Sequence, residues 1–206
     1  MTLTELKTLI QSYLENEETT FVSTLNDFIV NAEDRIFELI QFDYFRKNVT
    51  GNLTTGNTYL TAPSDFLTSF SLAIIDSNND YHYLDKKHTS FMREYSNDAV
   101  ATSERGKPLY YADFDKELST ASNNGSTLIV SPVPDQDYNV ELHYLYKPVS
   151  LTSTTSGTWI SQNARNALLY GSLVEAYTFM KGDADLMQLY EQRFNLEVLR
   201  LKNQAE

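Results

Sequence analysis

The residues whose types could do chemistry are three histidines, His82, His88 and His143, and a large population of carboxylates. A metal centre needs such side chains at short, regular spacing, and the three histidines show none. HExxH, a glycine-rich phosphate loop and GxSxG are all missing, so the usual carriers of hydrolysis and phosphate binding have no foothold. Cysteine is absent altogether, which removes disulfides, thiolate ligands and cysteine nucleophiles together. Asp76, Asp80 and Asp85 gather around Ser77-Asn78-Asn79. That is the composition of a tight turn. A calcium loop would add alternating oxygen ligands, a central glycine and a terminal glutamate, and that pattern is not there. Glu175 is the odd carboxylate, set inside an apolar run, and a partner such as Arg35 or Arg165 is expected to neutralise it. The expectation is a protein with no catalytic residues, no cofactor and no metal, hence not an enzyme.

Charge narrows the partners. The chain of 206 residues carries a net charge of -12, with 16 scattered Lys and Arg. A nucleic-acid grip needs clustered cations that displace counterions, so tight DNA binding is not expected. No apolar run approaches the roughly eighteen residues that would suggest a membrane span. The opening MTLTELKTLIQSYLENEE lacks a basic stretch followed by an apolar block, so it reads as a helix of the fold and not as a signal peptide.

Three stretches position these residues. Thr2 followed by Glu5 is a capping box, and Leu3, Leu6, Leu9, Ile10 and Tyr13 then fall at helical spacing. After the acidic turn Asn16-Glu17-Glu18, Thr19 or Thr20 can cap a second helix. Its stripe is Phe21, Leu25, Phe28, Ile29, Ala32, Ile36, Leu39 and Ile40. From Asn48 to Val149 the chain turns rich in Thr, Ser, Asn and Tyr with frequent turn residues, which predicts short strands in an antiparallel sheet or small sandwich. Expected there are a hairpin from Val49 to Leu60, another from Ser69 to Leu84 and a short helix over Thr89 to Tyr95. Strands are expected at Leu109–Phe114, Thr127–Val130 and Asn139–Tyr146. Val140, Leu142, Tyr144 and Tyr146 share one face of the last.

The C-terminal stretch is helical again. Trp159 leads into a helix capped near Ser161, and the run from Ala164 to Met180 is apolar almost all round, as in a helix buried on several sides. Ala164, Ala167 and Gly171 line one side, where another helix can come close. Gly182 ends that run, Asp183 caps the next, and Leu186, Leu189, Tyr190, Phe194 and Leu201 make a last stripe. The expected fold is α+β. Helix pairs from the two ends, residues 1–47 and 160–206, form an antiparallel bundle, and a β-rich module over residues 48–159, ending in a Ser/Thr loop, is inserted between them.

Several strings, taken in order, resemble the head-to-tail connector (adaptor) proteins of short-tailed bacteriophages. They are NAEDRIFELIQFDYFR, YLTAPSDFLTSFSLAI, GKPLYYADFDKEL, STLIVSPVPDQDYNVELHYLYKPVSLT and NARNALLYGSLVEAYTFMKGDADLMQLYEQRFNLEVLRL, and they cover nearly the whole chain. That resemblance implies a virion protein of the phage neck, assembled in the host cytoplasm as a homo-oligomeric ring, a dodecamer. The ring would join the portal protein to the tail tube or nozzle protein, and DNA would pass through its lumen at ejection without specific binding. The family supplies no catalytic residues. The alternative is a tail-associated receptor- or carbohydrate-binding module, suggested by the aromatic-rich β stretch, although the one tryptophan, Trp159, falls at a helix start outside it.

Overall fold

The computed structural model describes residues 1–40, 42–95, 102–115 and 126–205. In chain order these contain α1 (Leu3–Leu14), α2 (Thr19–Leu39), β1 (Arg46–Leu53), β2 (Tyr59–Thr61), β3 (Phe66–Ile75), β4 (Tyr81–Tyr83) and β5 (Asp85–Lys86). Then follow α3 (Thr89–Tyr95), β6 (Tyr110–Asp115), β7 (Thr127–Ser131), β8 (Tyr138–Tyr146), α4 (Trp159–Asn163), α5 (Arg165–Met180) and α6 (Ala184–Ala205). The fold is therefore α+β. The chain forms two compact units, residues 1–44 with 148–206, and residues 45–147.

In the first unit, α1 begins as the capping box requires. The Glu5 N–H donates to Thr2 Oγ1 at 3.3 Å and the Thr2 N–H donates to Glu5 Oε2 at 2.9 Å. The helix buries Leu6 and Ile10 and ends on Glu15 in the left-handed region, at φ 46°. A threonine cap for α2 is not what forms: Glu18 is the N-cap residue and makes no side-chain cap bond. Asn16 closes the preceding turn by accepting the Glu18 N–H at 2.9 Å, so both threonines already lie inside the helix.

Helix α5 packs against α1, α2, α4 and α6, which explains why its sequence is apolar nearly all round. Gly171 marks its closest approaches: a Cβ there would stand 3.0 Å from Ala32 Cβ and 3.1 Å from Phe194 Cε2. The single helix expected to follow Trp159, capped near Ser161, is two. Thr158 caps α4, with Ser161 as its reciprocal partner, and the helical path breaks at Ala164 before α5 starts. Helix α6 also departs from its expected stripe. Phe194, Val198 and Leu201 are buried, whereas Leu186 and Leu189 stand exposed on other sides.

The second unit holds two four-stranded sheets, ordered β1-β8-β3-β4 and β2-β7-β6-β5. All pairings are antiparallel except β5 with β6. Leu72, Ile74, Val140 and Leu142 from the first sheet share one core with Leu60, Tyr111, Leu128 and Val130 from the second, as in a sandwich. Tyr138, Val140, Leu142 and Tyr144 occupy that face of β8 by period two, with Tyr146 half-buried beside them. The hairpin of β3 with β4 forms as expected. The one expected from Val49 to Leu60 does not: β1 pairs with β8 and β2 with β7, so the chain crosses from sheet to sheet. Gly56, at φ 76°, gives its N–H to Pro134 O at 2.9 Å and thereby serves that crossing.

Candidate functional site

The three histidines lie apart and each has a local duty. His82 Nε2 is 3.0 Å from Asp76 Oδ2, His88 Nδ1 is 2.9 Å from Ser90 Oγ at the start of α3, and the His143 ring packs on Phe70 at 5.4 Å. Asp76 is the knot of the β3–β4 turn, where its Oδ1 accepts the N–H groups of Asn78 at 2.8 Å and Asp80 at 3.0 Å. The His82 bond, and then these amides, hold its carboxyl down to about 2. Asp137 does similar work, its Oδ1 accepting from the Thr55 N–H at 2.7 Å and the Thr55 hydroxyl at 2.8 Å. Both carboxylates line a cleft of about 700 Å³ with Asn52, Gln136 and Asn139. The Oδ1 atom of each is engaged by backbone N–H groups of the neighbouring turns. Among the described residues no group of three or more His, Asp or Glu side chains is placed to hold a metal ion. No helix among them is long and apolar enough to cross a membrane.

The expected partner of Glu175 is Arg35. Its Nη1 lies 3.5 Å from Glu175 Oε1, and its Nη2 reaches Glu191 Oε1 at 2.8 Å and Oε2 at 3.0 Å. The guanidinium also lies 4.5 Å from the centre of the Phe194 ring. One arginine thus ties α2 to α5 and α6, which is a structural use of charge.

The group that sequence reasoning missed is Glu33. It is 5 % exposed on α2, and it accepts the Ser150 hydroxyl at 2.5 Å and the Leu151 N–H at 3.0 Å. Burial pushes its carboxyl above the usual range, although both hydrogen bonds pull the other way. Its neighbours Glu38, Asp34 and Asp27 disguise it in the sequence as one more acid on a polar face. The only local signal was its place beside Ala32 and before Ile36 on the buried stripe.

Several large apolar side chains stand on the surface. Leu189, Leu196 and Leu199 stand outward on α6 at 41 %, 58 % and 53 % exposure. In the second unit Tyr59 and Phe114 pack at 5.5 Å, and Arg93 donates to the Tyr59 hydroxyl at 3.2 Å. Trp159 is half-buried, with its indole packed on Tyr44 at 4.7 Å.

No curated protein matches the chain. The resemblance read from its ordered strings nonetheless holds at the level of the family. The family model for the SU10 adaptor protein matches residues 1–206, end to end, and the chain belongs to that family of phage adaptor proteins.

Proposed function

We propose that this chain is the head-to-tail adaptor subunit of a phage neck, assembled as a dodecameric ring that joins portal protein to tail tube or nozzle protein. The observation that carries this reading is the family match along the full 206 residues. The helical unit, residues 1–44 with 148–206, acts as one domain, and residues 45–147 as a β module inserted in it. The ring is built in the host cytoplasm and remains in the virion neck, with no enzymatic role.

Charge supports a conduit role. DNA passing through the lumen meets a subunit of net charge -12, and the absence of clustered cations keeps phosphates from being held in transit. Two lysines of the β unit are held by carboxylates: Lys47 by Asp65 at 2.7 Å and Lys86 by Asp113 at 2.8 Å. Electron microscopy of the protein mixed with its portal tests the reading. Rings of twelve adaptor subunits seated on the portal are expected. A chain that never joins the portal, or that binds duplex DNA tightly with a steep salt dependence, overturns it.

A further inference from the structure

Helix α6 is apolar on two sides. Phe194, Val198 and Leu201 face the interior, while Leu189, Leu196 and Leu199 stand on the opposite side with Gln192 and Asn203. Residues 189, 192, 196, 199 and 203 alternate by three and four, which is the spacing of a helix-pairing seam. A row of leucines on a solvent face asks for a partner helix.

The flanks of that row say what the partner is. Arg193 and Arg200 border it on one side and Lys202 stands beyond it on the other. Arg193 Nη1 donates to the Tyr170 hydroxyl at 3.1 Å, and Arg200 Nη1 bonds Glu197 Oε1 within the helix. Two copies of α6 laid together would set arginine against arginine or lysine, so the face is ill suited to pairing with itself. It suits an apolar edge flanked by acids. Helix α2 carries one on its outward side. Val22 is exposed and Val30 half-buried along that edge, and the exposed Asp27 and Glu38 run beside it.

We propose that the outward leucine row of α6 docks on the acid-flanked outward side of α2 in the next copy of this chain. The contact is head to tail, so it propagates from copy to copy and closes when the rotation permits. It rests on the ring reading above and names the surfaces that would make the ring.

The test uses paired charge reversals in the full chain, followed by sedimentation at high protein concentration. Arg193→Glu with Arg200→Glu makes both faces acidic, and Asp27→Arg with Glu38→Arg makes both basic. Each variant alone is expected to associate at least about tenfold more weakly than wild type. Mixed in equal amounts they regain association, because each face again meets its opposite. Because the chain has no cysteine, Gln192→Cys in one copy and Ser23→Cys in another report the same contact by forming a mixed disulfide in preference to either homodimer. A mixture that stays as weakly associated as its parts, or Gln192→Cys homodimers in excess, overturns the α6–α2 contact. If wild type still forms rings on the portal in that case, the adaptor reading stands and only the assigned surfaces fall.

Discussion

The two units use buried and surface charge in opposite ways. In the helical unit the polar groups tie separate segments together: Glu33 is nearly sealed and holds Ser150 and Leu151, and Arg35 spans Glu175 and Glu191. In the β unit the corresponding carboxylates sit at turns, where Asp76 and Asp137 gather backbone N–H groups in water. The difference follows from what each architecture leaves unsatisfied. A sandwich satisfies its backbone through strand pairing and has loose N–H groups mainly at its turns. Helices satisfy their own backbones, and apolar stripes alone tolerate several mutual placements. Directional polar contacts in the interior favour one placement.

The comparison breaks most sharply through the cores. Leu168 and Leu25 are fully buried in the helical unit, and Leu142 is 3 % exposed in the β core. Leu168→Asp or Leu25→Asp should cost several kcal/mol and unfold the helical unit. Leu142→Asp should do the same to the sandwich. The single tryptophan, Trp159, lies in the helical unit, so its fluorescence reports that unit. Amide exchange at Leu142 and Ile74 reports the other. If the units are separate domains, Leu168→Asp exposes Trp159 and leaves the β amides protected. Loss of both signals together would show one cooperative body instead.

A smaller effect is expected at Gly171. Alanine there gains about 1 kcal/mol of helix propensity. Its methyl would nevertheless stand 3.0 Å from Ala32 Cβ and 3.1 Å from Phe194, both on packed helices that cannot easily retreat. Overpacking of about 1–3 kcal/mol outweighs the gain, so Gly171→Ala lowers the urea midpoint of the Trp159 signal. A raised midpoint would mean that the helices have room to move apart.

How far the sequence could be read divides along the same line. Features settled by neighbours in sequence came through, among them the α1 capping box, the β3–β4 hairpin with its Asp76 knot and the short helix at Thr89. Helix α5 came through as well, because a segment without a polar face must be covered on several sides. Features settled by distant residues did not. Val49 to Leu60 has turn residues near its middle and reads as a hairpin, yet β8 and β7 claim its two halves for different sheets. Glu33 reads as a surface acid because its partners, Ser150 and Leu151, lie more than a hundred positions away. Leu186 and Leu189 were assigned to the inner stripe of α6, since apolar spacing does not say which of two faces is covered.

Removing the buried carboxylate sharpens the contrast at intermediate size. Glu33→Ala leaves the Leu151 N–H and the Ser150 hydroxyl without their acceptor, at a cost of about 1–3 kcal/mol. Glu33→Gln keeps one acceptor oxygen and should lose less. Chemical denaturation followed by Trp159 fluorescence ranks the two. Equal losses would show that the charge, and not the acceptor geometry, sustains the contact.

The smallest effect is the pH response, and here the two units should differ in sign. Glu33 has a folded-state pKa raised above 4.5 by burial, so the native carboxyl takes up a proton more readily than the unfolded one. Its contribution favours the fold below the ordinary value and fades as pH rises through the raised one. Asp76 is the reverse. Its pKa falls from 3.8 to about 2, so it supports the fold above pH 3.8 and that support drains away as pH drops toward 2. His82 is the largest cause of that depression, ahead of the Asp80 and Asn78 amides. Acidification from neutral should therefore loosen the β3–β4 turn while Glu33 contributes in the opposite direction to the helical unit. Amide exchange at Asn78 and Asp80, which donate to Asp76, follows the turn directly. His82→Ala should move its acid loosening to higher pH, and Asp76→Asn should abolish the titration while keeping one acceptor for the amides. Glu33→Gln should leave the turn's profile untouched. An acid profile of the turn that is the same with and without His82 would show that the backbone amides alone hold Asp76 ionised.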